Sequence, residues 1–228
     1  MNELALFAGA GGGLLASELL GWRTVCAVEL DWYCRCVLTQ RQNERIVKPF
    51  PIWDDVRTFN GRAWRGSIDV VSGGFPCQAF STAAAGNNTA DTLWPEMRRI
   101  VADVAPRYVF AENVSRAAID EAADDLESMG YQVRCLELSA QDMGADHIRG
   151  RCWLFAHTNM RSKLCGPVNA EVALLPGVRP RVWETFPGES RMDDGLAHRM
   201  DRLKAIGNGQ VPLVAATAFK QLARRLSV

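Results

Sequence analysis

The sequence predicts an α/β fold with a mostly parallel, twisted sheet and helices on both faces. Short apolar runs alternate with stretches of helical spacing from the N-terminus onward, which is the pattern of βα units. Several of these runs end in glycine or in a carboxylate, and ligand-facing groups of an open parallel sheet gather at the carboxyl ends of its strands. The 228 residues are 48% hydrophobic and 23% charged, a composition sufficient for one well-buried α/β domain.

The first element is a strand predicted over Leu4–Phe7, followed by a glycine-rich loop at 8–13 and a helix over Leu14–Leu20. Strand, glycine loop and helix form the first half of a nucleotide-binding βαβ unit. The loop glycines permit a tight turn, and the helix N-terminus favours a carboxylate or a phosphate. The third glycine of the dinucleotide pattern is absent near Leu14, so NAD is not favoured.

The second predicted strand, Thr24–Glu29, ends in an acid. Glu29 lies about 20 residues beyond the first loop glycine, the spacing at which a carboxylate takes two ribose hydroxyls. The alternative is that Glu29 only caps the helix predicted to begin at Asp31. Trp32 is placed to cover an adenine face, and Asp54 or Asp55 to put a carboxylate near the adenine amino group.

A third strand, Val70–Val71, runs through Gly73-Gly74 into a Pro76-Cys77 pair. A thiol just past a strand end, on a stiff Gly/Pro-shaped loop, occupies a common place for a reactive group in α/β enzymes. The alternative is that Cys77 packs as a small hydrophobe. The seven cysteines include no Cys-x-x-Cys pair, so we expect neither a metal site nor a disulfide framework, and a reducing cytoplasm.

Two later strands also carry chemistry at their ends. The first, 107–114, contains Glu112, although Asn113 and Ser115 are also good helix caps. A helix over Ile119–Met129 and a strand over Tyr131–Leu138 follow. The next apolar strand begins with Arg149 and Arg151. These arginines are two residues apart, so their side chains point to the same side of a strand.

Four segments together resemble the DNA cytosine-5 methyltransferase family. The run 73–81, Gly-Gly-Phe-Pro-Cys-Gln-Ala-Phe-Ser, resembles its catalytic loop, and Glu112-Asn113-Val114 its Glu-Asn-Val motif. The arginine pair resembles its Gln-x-Arg-x-Arg element, with His147 where Gln is usual, and 207–212 resembles its closing Gly-Asn-x-x-Val-Pro motif. The resemblance runs from Leu6 to about Ala223.

This resemblance implies a Rossmann-like fold that binds S-adenosyl-L-methionine. It implies that Cys77 attacks the cytosine ring, that Glu112 donates to ring nitrogen 3, and that Arg151 holds the cytosine carbonyl oxygen. It makes Arg149 a brace for the catalytic loop or for a phosphate. The donor pocket that it implies consists of Phe7, Gly9, Gly11, Gly12, Glu29, Trp32, Asp55, Pro76 and Asn208. In that pocket Glu29 holds the ribose and Asp55 the adenine, with Asp54 as its competitor.

The implied substrate is cytosine in double-stranded DNA, within restriction–modification or phage and host DNA protection in a bacterial or phage-infected cell. Residues 1–157 would form the catalytic domain, 158–195 a short irregular target-recognition region, and 196–228 a segment that packs back on the catalytic domain. Residues 1–157 carry a net charge of −5 (15 basic, 20 acidic) and 158–228 a net +5 (11 basic, 6 acidic), which makes the C-terminal third the candidate phosphate-facing surface.

Three alternatives remain open. The substrate could be RNA, as in the tRNA-acting branch of the family, although the Cys-Phe-Thr signature of that branch is missing. The chain could instead be a non-catalytic DNA-binding homologue, or need a homodimer or a partner protein to recognise its target. No apolar run approaches the length of a membrane span, so we expect no membrane partner.

Overall fold

The computed structural model describes residues 1–76, 92–158, 201 and 204–224. Within these residues a seven-stranded sheet is flanked by helices. The strands are β1 (Asn2–Leu6), β2 (Arg23–Val28), β3 (Ile52–Trp53), β4 (Val70–Gly74), β5 (Tyr108–Asn113), β6 (Tyr131–Leu138) and β7 (Arg151–Thr158). The helices, numbered here in chain order, are α1 (Gly12–Leu19), α2 (Trp32–Asn43), α3 (Trp94–Val104), α4 (Arg116–Ser128) and α5 (Pro212–Arg224).

The strand order is β3-β2-β1-β4-β5-β7-β6. The first five strands in that order run parallel, whereas β7 is antiparallel to both β5 and β6. The chain builds outward from β1 in one direction and from β4 in the other, so the strand order reverses between these two central strands. In an open α/β sheet the ligand crevice lies at such a reversal, outside the carboxyl ends of the strands.

Both faces of the sheet are covered, which confirms the predicted layering. Alternate residues of β5 show it: Val109 and Ala111 belong to a core formed with α3 and α4, whereas Tyr108 and Phe110 belong to a core formed with α1 and α5. This period of two is what a strand buried on both faces requires. The C-terminal helix α5 thus completes the second face.

The predicted elements agree with the structure except at short or irregular places. The strand predicted over Tyr131–Leu138 is β6 with the same bounds. The two-residue strand β3 was missed. The first strand ends at Leu6 rather than at Phe7, because Phe7 adopts a left-handed backbone conformation (φ 53°) that leaves the strand. The helix predicted from Ile119 begins earlier, at Arg116, where Ser115 caps it.

Some predictions fall on residues that the structure does not describe. Cys77 is one of them, and the predicted target-recognition region at 158–195 lies outside the described residues except for Thr158. Among the residues that are described, no helix is long and apolar enough to cross a membrane.

Candidate active site

The loop after β1 is held by a carboxylate from the end of β2. Glu29 accepts a hydrogen bond from the Gly9 backbone N–H through Oε2 (2.6 Å) and one from the Asp31 N–H through Oε1 (2.7 Å). Gly9 and Gly11 both have positive φ angles (55° and 94°), which glycine adopts at little cost. Glu29 is not the cap of α2, since Asp31 caps that helix by accepting from the Cys34 N–H at 3.1 Å. Each carboxylate oxygen of Glu29 keeps a second lone pair with which to accept a further hydrogen bond.

The predicted donor residues from the two ends of the chain meet at this loop. Phe7, Gly9 and Asn208 line one cavity, together with Gly74. Gly12 lies against the C-terminal segment, because a Cβ atom there would overlap the backbone carbonyl of Gln210. The structure therefore brings the N-terminal loop and the Gly207–Pro212 segment together.

Trp32 and Asp55 lie farther along the same edge of the sheet. The Trp32 side chain is 72% exposed, and the guanidinium of Arg35 lies 5.6 Å from its ring centroid. Asp55 caps a short 3₁₀ helix at Val56–Thr58 and accepts from the Arg57 backbone N–H (3.0 Å) and Nε (2.9 Å). These hydrogen bonds from Arg57 lower the pKa of Asp55. The competitor Asp54 accepts instead from the Asp55 backbone N–H at 2.8 Å.

Two exposed apolar side chains at this edge, Leu30 and Trp53, were not among the predicted site residues. Leu30 directly follows Glu29, and the Trp53 carbonyl accepts from the Glu29 backbone N–H at 2.9 Å. The sequence offered one indication for Trp53, because this aromatic residue directly precedes the Asp54-Asp55 pair. Its position at this edge depends on β3, and a strand of only two residues was not predicted.

The ends of β4 and β5 form the second half of the site. Gly74 pairs with Glu112, and a Cβ atom on Gly74 would lie 2.6 Å from Glu112 Oε2, so a larger residue at position 74 would displace the carboxyl group. Asn113 donates from Nδ2 to the Phe75 carbonyl at 2.8 Å, which fastens the chain just before Pro76 to β5. The Pro76 carbonyl accepts from the Leu93 N–H at 3.4 Å. The described chain stops at Pro76, one residue before Cys77.

Glu112 is a buried carboxyl group that forms an ion pair with Arg151. It is 7% exposed, and its Oε1 lies 2.8 Å from Arg151 Nε. Burial raises the pKa of Glu112, and the positive charge of Arg151, a hydrogen bond from Gln210 and the charge of Arg149 only partly offset this rise. A carboxyl group with a raised pKa keeps a proton closer to neutral pH, which suits a proton donor.

Arg149 makes contacts that sequence reasoning did not foresee. It precedes β7 rather than lying in it, and its Nη2 donates to the backbone carbonyls of Gly207 and Gly209 (2.6 Å each) and of Ile206 (3.4 Å). Burial, together with the nearby charge of Arg151, lowers the pKa of Arg149. Among the described residues Arg149 therefore braces the C-terminal segment.

The part of the chain that the structure describes contains no cluster of three or more His, Cys, Asp or Glu side chains able to hold a metal ion. His147, which replaces the usual Gln of the family motif, is exposed and lies 3.4 Å from Asp146 Oδ1 through Nδ1.

Comparison with known families identifies the class of protein. The family model for C-5 cytosine-specific DNA methylases matches residues 1–191. The chain belongs to this family.

Individual relatives are type II methyltransferases of bacteria. The chain is 33% identical over 139 residues to the type II methyltransferase M.PspPI of Psychrobacter sp., a match that covers 56% of this chain and 32% of that protein. It is 32% identical over 169 residues to M.HhaI of Haemophilus parahaemolyticus, which covers 70% of this chain and 50% of the relative. The chain therefore spans half or less of the length of these two relatives.

Solved structures show the same fold. A protein described as a DNA modification methyltransferase of an E. coli prophage superposes with a TM-score of 0.56 at 26% identity, covering 69% of this chain and 47% of that one. The DNMT2 protein of Spodoptera frugiperda superposes with a TM-score of 0.57 at 18% identity, covering 71% and 51%. The latter likeness concerns the fold alone and confirms the Rossmann-like methyltransferase architecture.

Proposed function

We propose that this chain transfers a methyl group from S-adenosyl-L-methionine to carbon 5 of cytosine in double-stranded DNA. The observation that carries the proposal is the ion pair of the buried Glu112 with the half-buried Arg151 at the carboxyl end of β5, beside the end of β4 that continues in sequence into Cys77. Membership of the cytosine-5 methylase family supports the same reaction.

The donor would bind along the carboxyl ends of β1 and β2. The fit rests on Glu29, which retains acceptor capacity for ribose hydroxyls, and on the loop of positive-φ glycines, which lets a ligand approach the backbone closely. Asp55 or Asp54 would face the adenine amino group. The remaining residues of the proposed pocket are Phe7, Gly9, Gly11, Gly12, Trp32, Pro76 and Asn208. When bound, S-adenosyl-L-methionine supplies the electrophilic methyl group and leaves as S-adenosylhomocysteine.

Cys77 is the proposed nucleophile. Carbon 5 of cytosine is a weak nucleophile, and it becomes reactive when a thiolate adds to carbon 6 and forms a carbon–sulfur bond. The ring electrons then shift toward nitrogen 3. A free thiol has a pKa of about 8.5, so nearby positive charge would increase the thiolate fraction near neutral pH. Arg149 and Arg151 are described cations that act on Glu112 at this end of the sheet.

Glu112 and Arg151 would complete the chemistry on the base. Glu112 donates its proton to nitrogen 3 as the thiolate adds, and the resulting enamine carries its nucleophilic electron pair at carbon 5. Arg151 holds the cytosine carbonyl oxygen. After methylation, water takes the carbon-5 proton, the carbon–sulfur bond breaks to restore the double bond and the thiolate, and nitrogen 3 returns its proton to Glu112.

This geometry requires the cytosine to leave the helical stack. Flipping a base out costs a few kcal/mol, which phosphate contacts would offset. We propose residues 1–157 as the catalytic domain and 158–195 as the region that recognises the DNA target sequence. Residues 196–228 would support the glycine loop after β1, where the methyl donor binds. The biological setting would be restriction–modification or DNA protection in a bacterium or its phage.

The direct test is to incubate the purified protein with labelled S-adenosyl-L-methionine and unmethylated duplex DNA, and then to sequence the DNA after bisulfite treatment. We expect label in DNA and methyl groups at carbon 5 in a recurring sequence context. A parallel reaction with tRNA is the control for substrate class. Label in RNA alone, or no transfer although the donor binds, would contradict the proposal.

A further inference from the structure

Gln210 occupies a slot formed by three glycines. Its carbonyl lies where a Cβ atom of Gly12 would be, and its side-chain Oε1 would lie 2.7 Å from a Cβ atom on Gly13. Its Nε2 would lie 3.2 Å from a Cβ atom on Gly74. Substitution of any of these glycines would crowd Gln210. Gly12 thus leaves room for the Gln210 backbone carbonyl, and Gly13 and Gly74 leave room for its side-chain amide.

At the end of this slot lies the carboxyl group of Glu112. Gln210 donates from Nε2 to Glu112 Oε2 at 3.4 Å, while Arg151 contacts the other oxygen, Oε1. The two carboxyl oxygens thus have different partners, a neutral amide and a guanidinium. Oε2 also lies beside Gly74, where a Cβ atom would be 2.6 Å from it.

The backbone that carries Gln210 is itself fixed. Arg149 donates to the carbonyls of three residues just before it, Ile206, Gly207 and Gly209. Directly after it, α5 packs its buried face against α1 and β7. Because the backbone is anchored on both sides of Gln210, its side chain is able to fix the position of a group that it contacts.

We propose that Gln210 is a positioning residue for the carboxyl group of Glu112, and that it couples this acid to the loop that holds the methyl donor. The inference deepens the proposed function and rests on it for its kinetic consequence. An amide does not titrate, so it presents the same donor to Glu112 at every pH. The carboxyl group is then held in one orientation toward the base in both of its protonation states.

This coupling predicts how substitutions of Gln210 change the pKa of Glu112. The charged groups that face Glu112 in the described structure are Arg149 and Arg151, both cationic, and the Gln210 amide adds one more donor to the ionised form. Removal of this donor should raise the pKa of Glu112 further. A Gln210→Glu substitution, which keeps the length and shape of the side chain, should raise it more because it places an anion beside the carboxylate.

The first experiment titrates the Glu112 carboxyl carbon by ¹³C NMR in the full chain without substrate, with the signal assigned by its loss in Glu112→Gln. We expect the pKa of Glu112 to rise in Gln210→Leu and to rise further in Gln210→Glu. Gln221→Leu, the same change at an exposed position of α5, is the matched control and should leave it unchanged. If Gln210→Leu does not fold, Gln210→Glu decides alone. An unchanged pKa in the folded Gln210 variants would overturn the proposal.

The second experiment measures methyl transfer by the same variants. Gln210→Leu should lower kcat about tenfold, the size of one lost hydrogen bond to an ionisable group, with little change in the KM for the donor. The alkaline limb of the kcat profile should move to higher pH together with the pKa of Glu112. A lower kcat without that shift would mean that Gln210 only folds its segment, which contradicts the proposal. If the wild-type chain transfers no methyl group, the proposed function fails, while the titration still decides whether Gln210 controls Glu112.

Discussion

In the described part of the chain the sheet buries two carboxyl groups, Glu3 on β1 and Glu112 on β5, and their partners differ. Glu3 is 1% exposed, and its hydrogen-bond donors among the described residues are three hydroxyl groups: Ser17 (2.7 Å), Thr24 (2.6 Å) and Ser72 (2.6 Å). Glu112 has a guanidinium and an amide instead. Burial raises the pKa of both groups.

The difference separates a structural acid from a reactive one. The partners of Glu3 come from α1, β2 and β4, so this carboxyl group fastens three elements to β1 in the interior of the sheet. Glu112 lies at the carboxyl end of β5, where ligand-facing groups of such sheets converge. Its partners are Arg151 at the start of β7 and Gln210 in the segment before α5. Two acids with pKa values raised by the same cause therefore have different expected roles, because of where their strands place them.

The largest effect should come from removing the proton of the reactive acid. Glu112→Gln keeps a hydrogen-bonding side chain of the same shape but is unable to donate and recover a proton. We expect kcat for methyl transfer to fall by roughly 10²–10⁴-fold, the usual contribution of a general acid. Donor affinity, measured by calorimetry, should stay within about twofold of the wild type. Retention of more than a tenth of the activity would remove Glu112 from the chemistry.

The structural acid should show the reverse pattern. Glu3→Ala leaves the Thr24 and Ser72 hydroxyls without this acceptor, whereas Ser17 retains the Gly13 carbonyl at 3.2 Å. We expect a loss of about 2–4 kcal/mol in the free energy of unfolding, from two unsatisfied hydroxyls and a small cavity. Denaturant titration measures it, with the exposed Glu121→Ala on α4 as the control. Activity per folded molecule should be retained, and a stable but inactive Glu3→Ala would break the distinction.

A third carboxylate sharpens the comparison, since Glu29 lies at the same edge of the sheet as Glu112 but is proposed to bind rather than react. Glu29→Ala removes the acceptor of the Gly9 and Asp31 N–H groups. We expect the affinity for S-adenosyl-L-methionine to weaken by about 1.5 kcal/mol or more, the scale of a lost charged hydrogen bond. Isothermal calorimetry measures it, and unchanged affinity would exclude Glu29 from the ribose.

The smallest effect concerns the pH dependence of stability. The pKa of Glu3 is raised in the folded state, so its contribution to stability is fully present below the unfolded-state pKa of about 4.3 and is lost as pH rises through the folded-state value. Between these values one such group lowers the free energy of unfolding by up to about 1.4 kcal/mol per pH unit. Glu3→Gln should flatten this part of the curve, whereas Glu121→Gln should not. If the pH–stability curve of Glu3→Gln runs parallel to that of the wild type, the pKa of Glu3 does not differ between the folded and unfolded states.

Local patterns predicted the elements better than the contacts between them. The alternation of Tyr131–Leu138 defined β6, since each of its side chains has one face of the sheet to occupy. The two residues of β3 are too few for any period, so that strand was missed. Glu3 was left outside the first predicted strand, and its three partners lie 14, 21 and 69 residues away, which no local pattern encodes.

The same limit applies to the site. Motif resemblance named Glu112, Arg151 and Asn208, because each belongs to a short run with a recognisable order of residues. The contact of Gln210 with Glu112 spans 98 residues, and the contacts of Arg149 with the C-terminal segment span up to 60. Only the folded sheet and the glycines of the slot bring these residues together.

The most direct test of the thiol mechanism uses duplex DNA in which 5-fluorocytosine replaces cytosine, incubated with the protein and S-adenosyl-L-methionine. Fluorine at carbon 5 does not leave as a proton does, so the carbon–sulfur bond formed by Cys77 should persist after methylation. We predict a denaturant-stable protein–DNA complex whose mass includes one methyl group, formed by the wild type and absent in Cys77→Ser. If the wild type methylates ordinary DNA but yields no such complex, or if Cys77→Ser still forms it, the proposed covalent route through Cys77 is wrong.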